Sequence, residues 1–149
     1  WSSDVCSSDL NFDSGIVEYR VNGKATLSFN RSDPNLYNRM QELNGKLAAI
    51  DSDLKKEKDA AEDGLALVKL FSAYDKRIKA ELSFVFGEQN DFDAIFEGQN
   101  VLSIAGNGKF LITNFIEALQ PIIESGVKEY AKLEAANAVA QAKRERANR

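Results

Sequence analysis

The side chains that most often do chemistry are nearly absent from this chain. It has no histidine and one cysteine, Cys6. The usual nucleophile–base pairs therefore cannot be assembled. Catalysis would have to rest on carboxylates, lysine, tyrosine or a bound metal. The densest acidic group is Asp91, Asp93 and Glu97. Acids at alternate positions suggest a calcium loop, but such a loop needs glycine at its sixth position and glutamate at its twelfth. Those places hold Phe96 and Leu102, so the reading is of solvated acids near a helix start. Gly106-Asn107-Gly108-Lys109 has the look of a phosphate loop. A phosphate loop requires glycine five residues before its Gly-Lys pair and a hydroxyl residue after it. Here Ser103 and Phe110 stand there, and the segment reads as a turn leading into a helix. No cofactor or metal is expected, and the chain is expected not to be an enzyme.

Residues 1–10, WSSDVCSSDL, stand apart from the rest. The string resembles a translated short-read sequencing adapter and is set aside as a cloning or assembly scar. The expectation is that the native N-terminus is missing. Cys6 and the only tryptophan, Trp1, go with it, so neither a disulfide framework nor a thiolate zinc site is expected. Removing Asp4 and Asp9 also takes the formal net charge from −4 to −2. That near-neutral balance gives no general pull towards nucleic acid or anionic lipid. Lys143, Arg144, Arg146 and Arg149 against Glu145 make a basic end. It lacks the interleaved aromatics of a single-strand binder, and nucleic acid is not an expected partner. The most apolar stretch, Phe110 to Ile123, is broken by Asn114, Glu117, Gln120 and Pro121. It is too short for a bilayer, which needs ~20 apolar residues, so no membrane partner is expected.

The elements that would carry these residues follow from periodicity. The rest of the chain is of a size for one domain with one core. Val17, Tyr19 and Val21 alternate with Glu18 and Arg20, and Ala25, Leu27 and Phe29 alternate with Thr26 and Ser28. This is the period of half-buried strands, with Asn22-Gly23 as the turn between them. A two-residue loop would oppose Tyr19 to Thr26 and mix the faces. A three-residue loop, Val21-Asn22-Gly23, opposes Tyr19 to Ala25 and Val17 to Leu27, with Gly23 in the left-handed position. An isolated hairpin is marginal, so its apolar face must lie on helices or its edge must pair with another chain.

Asp33 reads as an N-cap and Pro34 as a first helical residue. Leu36, Met40, Leu43, Leu47, Ile50 and Leu54 then form a heptad seam. A turn is expected at Asp59 to Gly64, one continuous helix being the alternative. A second helix carries Leu67, Phe71, Tyr74, Ile78, Leu82 and Val85 and ends at Gly87. Residues 88–109 are irregular, with a short helix at Asp91 to Phe96. A last helix runs from Phe110 to beyond Ala140, its apolar side Phe115, Leu119, Ile122, Val127, Tyr130 and Leu133, with a kink at Pro121. The expected fold class is α+β, mainly helical: an N-terminal β-hairpin followed by a helical bundle with a long C-terminal helix. Residues 11–133 form the domain and 134–149 an Ala-rich, then basic, helical tail.

Several blocks together resemble a family of small tail assembly chaperone-like proteins of tailed phages and prophages of Gram-positive bacteria. They are Phe12-Asp13-Ser14-Gly15-Ile16-Val17 leading to Val21-Asn22-Gly23, then Phe29-Asn30 and Ser32-Asp33. Val85-Phe86-Gly87, Ile95-Phe96-Glu97-Gly98 and Asn100-Val101 follow. The family's Phe-Asn-Pro is here Phe29-Asn30-Arg31. Its Leu-Pro and Trp before the last helix are replaced by Gly106-Asn107-Gly108-Lys109-Phe110. The resemblance implies a non-enzymatic protein of the host bacterial cytoplasm that binds the tape-measure protein during tail morphogenesis. Tail-tube protein or self-association are the further partners it leaves open. A minor tail or connector component is the alternative. The candidate partner-binding residues are Phe92, Phe96, Val101, Leu102 and Phe110.

Overall fold

The computed structural model describes residues 8–148. Residues 1–7 of the segment set aside above lie outside the described residues. Six elements follow in order: β1 (Val17–Val21), β2 (Ala25–Phe29), α1 (Pro34–Ala60), α2 (Gly64–Phe86), α3 (Phe92–Ile95) and α4 (Leu111–Ala147). The fold is α+β and mainly helical, a two-stranded antiparallel hairpin ahead of a helical body with a long last helix.

The hairpin register corrects the sequence expectation. Val21 pairs with Ala25, Tyr19 with Leu27 and Val17 with Phe29. The loop does have three residues, but they are Asn22, Gly23 and Lys24, closed by a 3.0 Å bond from the Lys24 N–H to the Val21 carbonyl. Asn22 (φ 52°) and Gly23 (φ 72°) both take left-handed backbone. Asn and Gly tolerate that region, whereas a β-branched residue does not. Val21 is therefore kept in the strand, and the pairing slides by two residues without changing face. Tyr19 gains a diagonal stack on Phe29, with ring centroids 4.9 Å apart.

The two long edges of this hairpin differ. On the β2 side the amide of Asn90 acts as a one-residue strand. Its Oδ1 accepts from the Ser28 N–H at 2.8 Å and its Nδ2 donates to the Ser28 carbonyl at 3.0 Å. Ser28 therefore points its backbone groups away from β1, and its partner Glu18 must point its own the other way. By the same alternation Arg20 does too. Among the described residues no further strand joins β1, and its outer edge is open there.

Asp33 caps α1, accepting from the Asn35 N–H at 2.9 Å. The chain then turns at Ala61–Asp63, and Asp63 caps α2. One continuous helix is thereby excluded. The returning helix packs along the first, tied at its surface by Lys46–Glu81 (3.2 Å) and Arg77–Asp53 (3.3 Å). Leu36, Met40, Leu43, Ile50 and Leu54 of α1 are buried against Tyr74, Ile78, Leu82 and Val85 of α2, with Leu47 half-buried. Gly87 ends α2 at φ 101°.

The last helix passes through Pro121 without a break in its assignment. Its burial departs from expectation. Ile112, Leu119 and Gly126 are buried, while Val127, Tyr130 and Leu133 lie on the surface. The reason is at Gly126, where α4 crosses the chain just before α1. A Cβ there would sit 2.1 Å from the Arg31 carbonyl oxygen. Beyond that crossing α4 runs along the surface, where Glu129 pairs with Arg31 at 2.5 Å.

Candidate partner-binding groove

The loop between α3 and α4 is held rigidly by a few polar residues. The Asn100 Nδ2 donates to the Phe71 carbonyl at 3.0 Å, and its Oδ1 accepts from the Leu102 N–H at 2.8 Å. Asp75 accepts from the Val101 N–H at 2.8 Å through one oxygen and pairs with Lys79 at 3.0 Å through the other. Lys79 also reaches Asp93 at 2.8 Å and the Gln99 carbonyl at 3.1 Å. Burial lowers the Lys79 pKa, but the bonds to Asp93 and Asp75 outweigh it and hold the ammonium above its ordinary value.

The Gly106–Lys109 turn is a tight reversal. Ile104 bridges to Phe110 in antiparallel fashion, and Ala105 N–H donates to the Lys109 carbonyl at 2.8 Å. Asn107 and Asn114 exchange amide bonds of 2.9 and 3.2 Å. Phe110, the N-cap of α4, supplies no side-chain cap. The orphan donors of the first turn are satisfied from the loop instead: Leu111 N–H to Ser103 and Ile112 N–H to Val101, both 2.9 Å. The turn is thus a scaffold that sets where α4 begins.

This arrangement leaves an open groove of about 300 Å³ beside α1 and the first turns of α4. Leu47, Ile50 and Leu54 form one wall, Ile112 and Ile116 the other, with Ile78 of α2, Leu102 and Phe110 completing it. Its carboxylates are already engaged. Asp51 pairs with Lys55 at 3.1 Å, and Glu117 with Lys109 at 2.9 Å. What the groove offers is apolar surface in reach of solvent. Such a surface can take the apolar face of a helix laid along it.

Of the five residues expected to bind a partner, the structure brings two to this groove: half-buried Leu102 and Phe110, 42% exposed. Phe92, Phe96 and Val101 are core residues, none more than 6% exposed, and form no surface in this state. The reason is aromatic packing, since Phe92 and Phe96 lie 6.2 and 5.2 Å from the Phe115 ring. Ile112 and Ile116 were missed. They stand four apart, off the Phe115–Leu119–Ile122 line, so the start of α4 is apolar on two sides, and that second side was the available signal.

The acidic trio is dispersed. Asp91 caps α3, accepting from Asp93 and Ala94 N–H at 3.0 and 3.1 Å. Asp93 pairs with Lys79, and Glu97 with Lys24 at 2.5 Å. Among the described residues no group of three or more metal-binding side chains is placed to share an ion. No helix among them is long and apolar enough to cross a membrane. A scan against protein-family models finds no match, and searches of curated proteins and of solved structures find none either.

Proposed function

We propose that this chain is a tail assembly chaperone that works in the host bacterial cytoplasm and holds apolar helices of a tape-measure protein before the tail tube forms around it. The observation that carries the reading is the apolar groove between α1 and the start of α4. The ordered sequence blocks from Phe12 to Val101 that resemble such chaperones support it. An amphipathic helix would place anchors at i, i+3 and i+4 into the groove, leaving its polar face to water. No bond is made or broken, and no cofactor is called for.

Co-expression with the tape-measure protein from the same genome tests the reading. The wild-type chain is expected to move that protein from the insoluble to the soluble fraction. Phe110→Asp is the informative variant. It puts a carboxylate in the groove while giving α4 the side-chain N-cap it lacks, so it folds, and the rescue is lost. A tape-measure protein equally insoluble with and without the wild-type chain would overturn the assignment.

A minor tail or connector component is the second reading, favoured by the open outer edge of β1, which can extend a neighbour's sheet. Finding the chain in purified tails in stoichiometric amount would favour it over a chaperone, which leaves before the particle is complete.

A further inference from the structure

We infer that the outer edge of β1 pairs with β1 of a second copy of this chain, antiparallel about a two-fold axis at Tyr19, giving a four-stranded sheet shared by a homodimer. Three observations carry this, none of which involves the groove.

The first is backbone. Among the described residues the β1 groups left without a strand partner belong to Glu18 and Arg20, as the Asn90–Ser28 bonds fix. An antiparallel partner must bring residues of the same kind opposite them to form closely bonded pairs.

The second is charge. Glu18 and Arg20 lie on the solvent face of the hairpin, both exposed, and neither takes part in an ion pair among the described residues. With the axis at Tyr19, Glu18 of each copy stands opposite Arg20 of the other. Both pairs are backbone-bonded and oppositely charged. Sliding the axis by one residue either way opposes Glu18 to Glu18 or Arg20 to Arg20. These are the neighbouring registers the free groups allow, and like charges directly opposite are destabilising. The stretch is thus self-complementary in one register, as an isologous interface requires.

The third is apolar surface. In that register Val17, 45% exposed and on the core-facing side of the strand, stands opposite Val21 of the second copy. The pair extends the apolar face of the sheet across the junction.

The test is charge reversal read by sedimentation equilibrium. The wild-type chain is expected to be a dimer in the micromolar range. E18R and R20E each set like charges face to face twice per dimer and should each raise the dissociation constant by about tenfold or more. Both residues are exposed and make no ion pair among the described residues, so circular dichroism should match wild type, as should Tm at concentrations low enough for both to be monomeric. The double variant E18R/R20E restores opposite charges in the same register and should return the constant to within about threefold of wild type. An equimolar mixture of E18R and R20E should form heterodimers more tightly than either forms homodimers. A wild-type chain that stays monomeric at 1 mM (about a thousandfold above a micromolar dissociation constant) overturns the inference. So does a dimer indifferent to both single reversals, or one that the double variant fails to restore.

Discussion

Asn90 is a buried polar residue with every bond accounted for. At 5% exposed it holds Ser28 by two bonds and the end of α2 by a third, Nδ2 to the Phe86 carbonyl at 2.9 Å. A buried donor or acceptor stripped of its partner costs roughly 1–3 kcal/mol. Asn90→Ala should therefore lower the unfolding free energy by about 3 kcal/mol in urea titrations. Asn90→Asp should also be destabilising, since it sets a carboxylate against two carbonyls. Nothing around Asn90 marked it in the sequence, because its partner is 62 residues away. Lys79 offers a second test. Its side chain is 12% exposed, and its pKa is held above 10.5 in the folded state. A raised lysine contributes its full stabilisation below about pH 10.5 and loses it as the pH climbs through the folded value. Burial raises the Tyr37 hydroxyl, whose ionisation works in the same direction on stability. Stability should hold from neutral pH to about 10 and fall above it. Lys79→Met should make that alkaline fall shallower without removing it, as followed by unfolding at stepped pH.

The elements were largely legible from periodicity and caps. The seam from Leu36 to Leu54, the cap at Asp33 and the stop at Gly87 stand where the residues put them, because each is a local signal. What was not legible is where an element meets another. The hairpin slid by two residues since both registers keep the same apolar face, and only the backbone preference of Val21 against Asn22 separates them. In α4 the apolar line from Phe115 to Leu133 gave no sign that burial stops at Gly126. A close approach is marked by a missing side chain, which reads as an ordinary glycine. Gly126→Ala should therefore cost about 1–3 kcal/mol, since its methyl would push against the Arg31 carbonyl, with thermal unfolding as the measure. Truncation after Leu133 should shift the Tm by less than about 2 °C, because the removed surface residues make no core contact.

At the scale of the molecule, the candidate site was only partly legible. Residues 88–109 have no periodicity, so the sequence could not say whether Phe92, Phe96 and Val101 point in or out. They turned inward because the aromatic rings of Phe86 and Phe115 were there to meet them. Leu102 and Phe110 remained at the groove because the pinned turn sets them at its rim. A homodimer through β1 has a whole-molecule signature of its own. Its Tm should rise with protein concentration, as mass action requires when association favours the folded state. For E18R the same rise should appear only at concentrations about tenfold or more higher.

Asn90 also decides how far such an association can go. A two-stranded sheet with both edges free is a bifunctional monomer, and bifunctional monomers polymerise. With the amide of Asn90 occupying Ser28, one reactive end is stoppered and the unit is left monofunctional. Monofunctional units terminate at two. Asn90→Ala would then do more than lower stability: it restores the second functionality, and the expected product is an open-ended fibre detectable by rising light scattering. Adding E18R to that variant should quench the growth by blocking the other end.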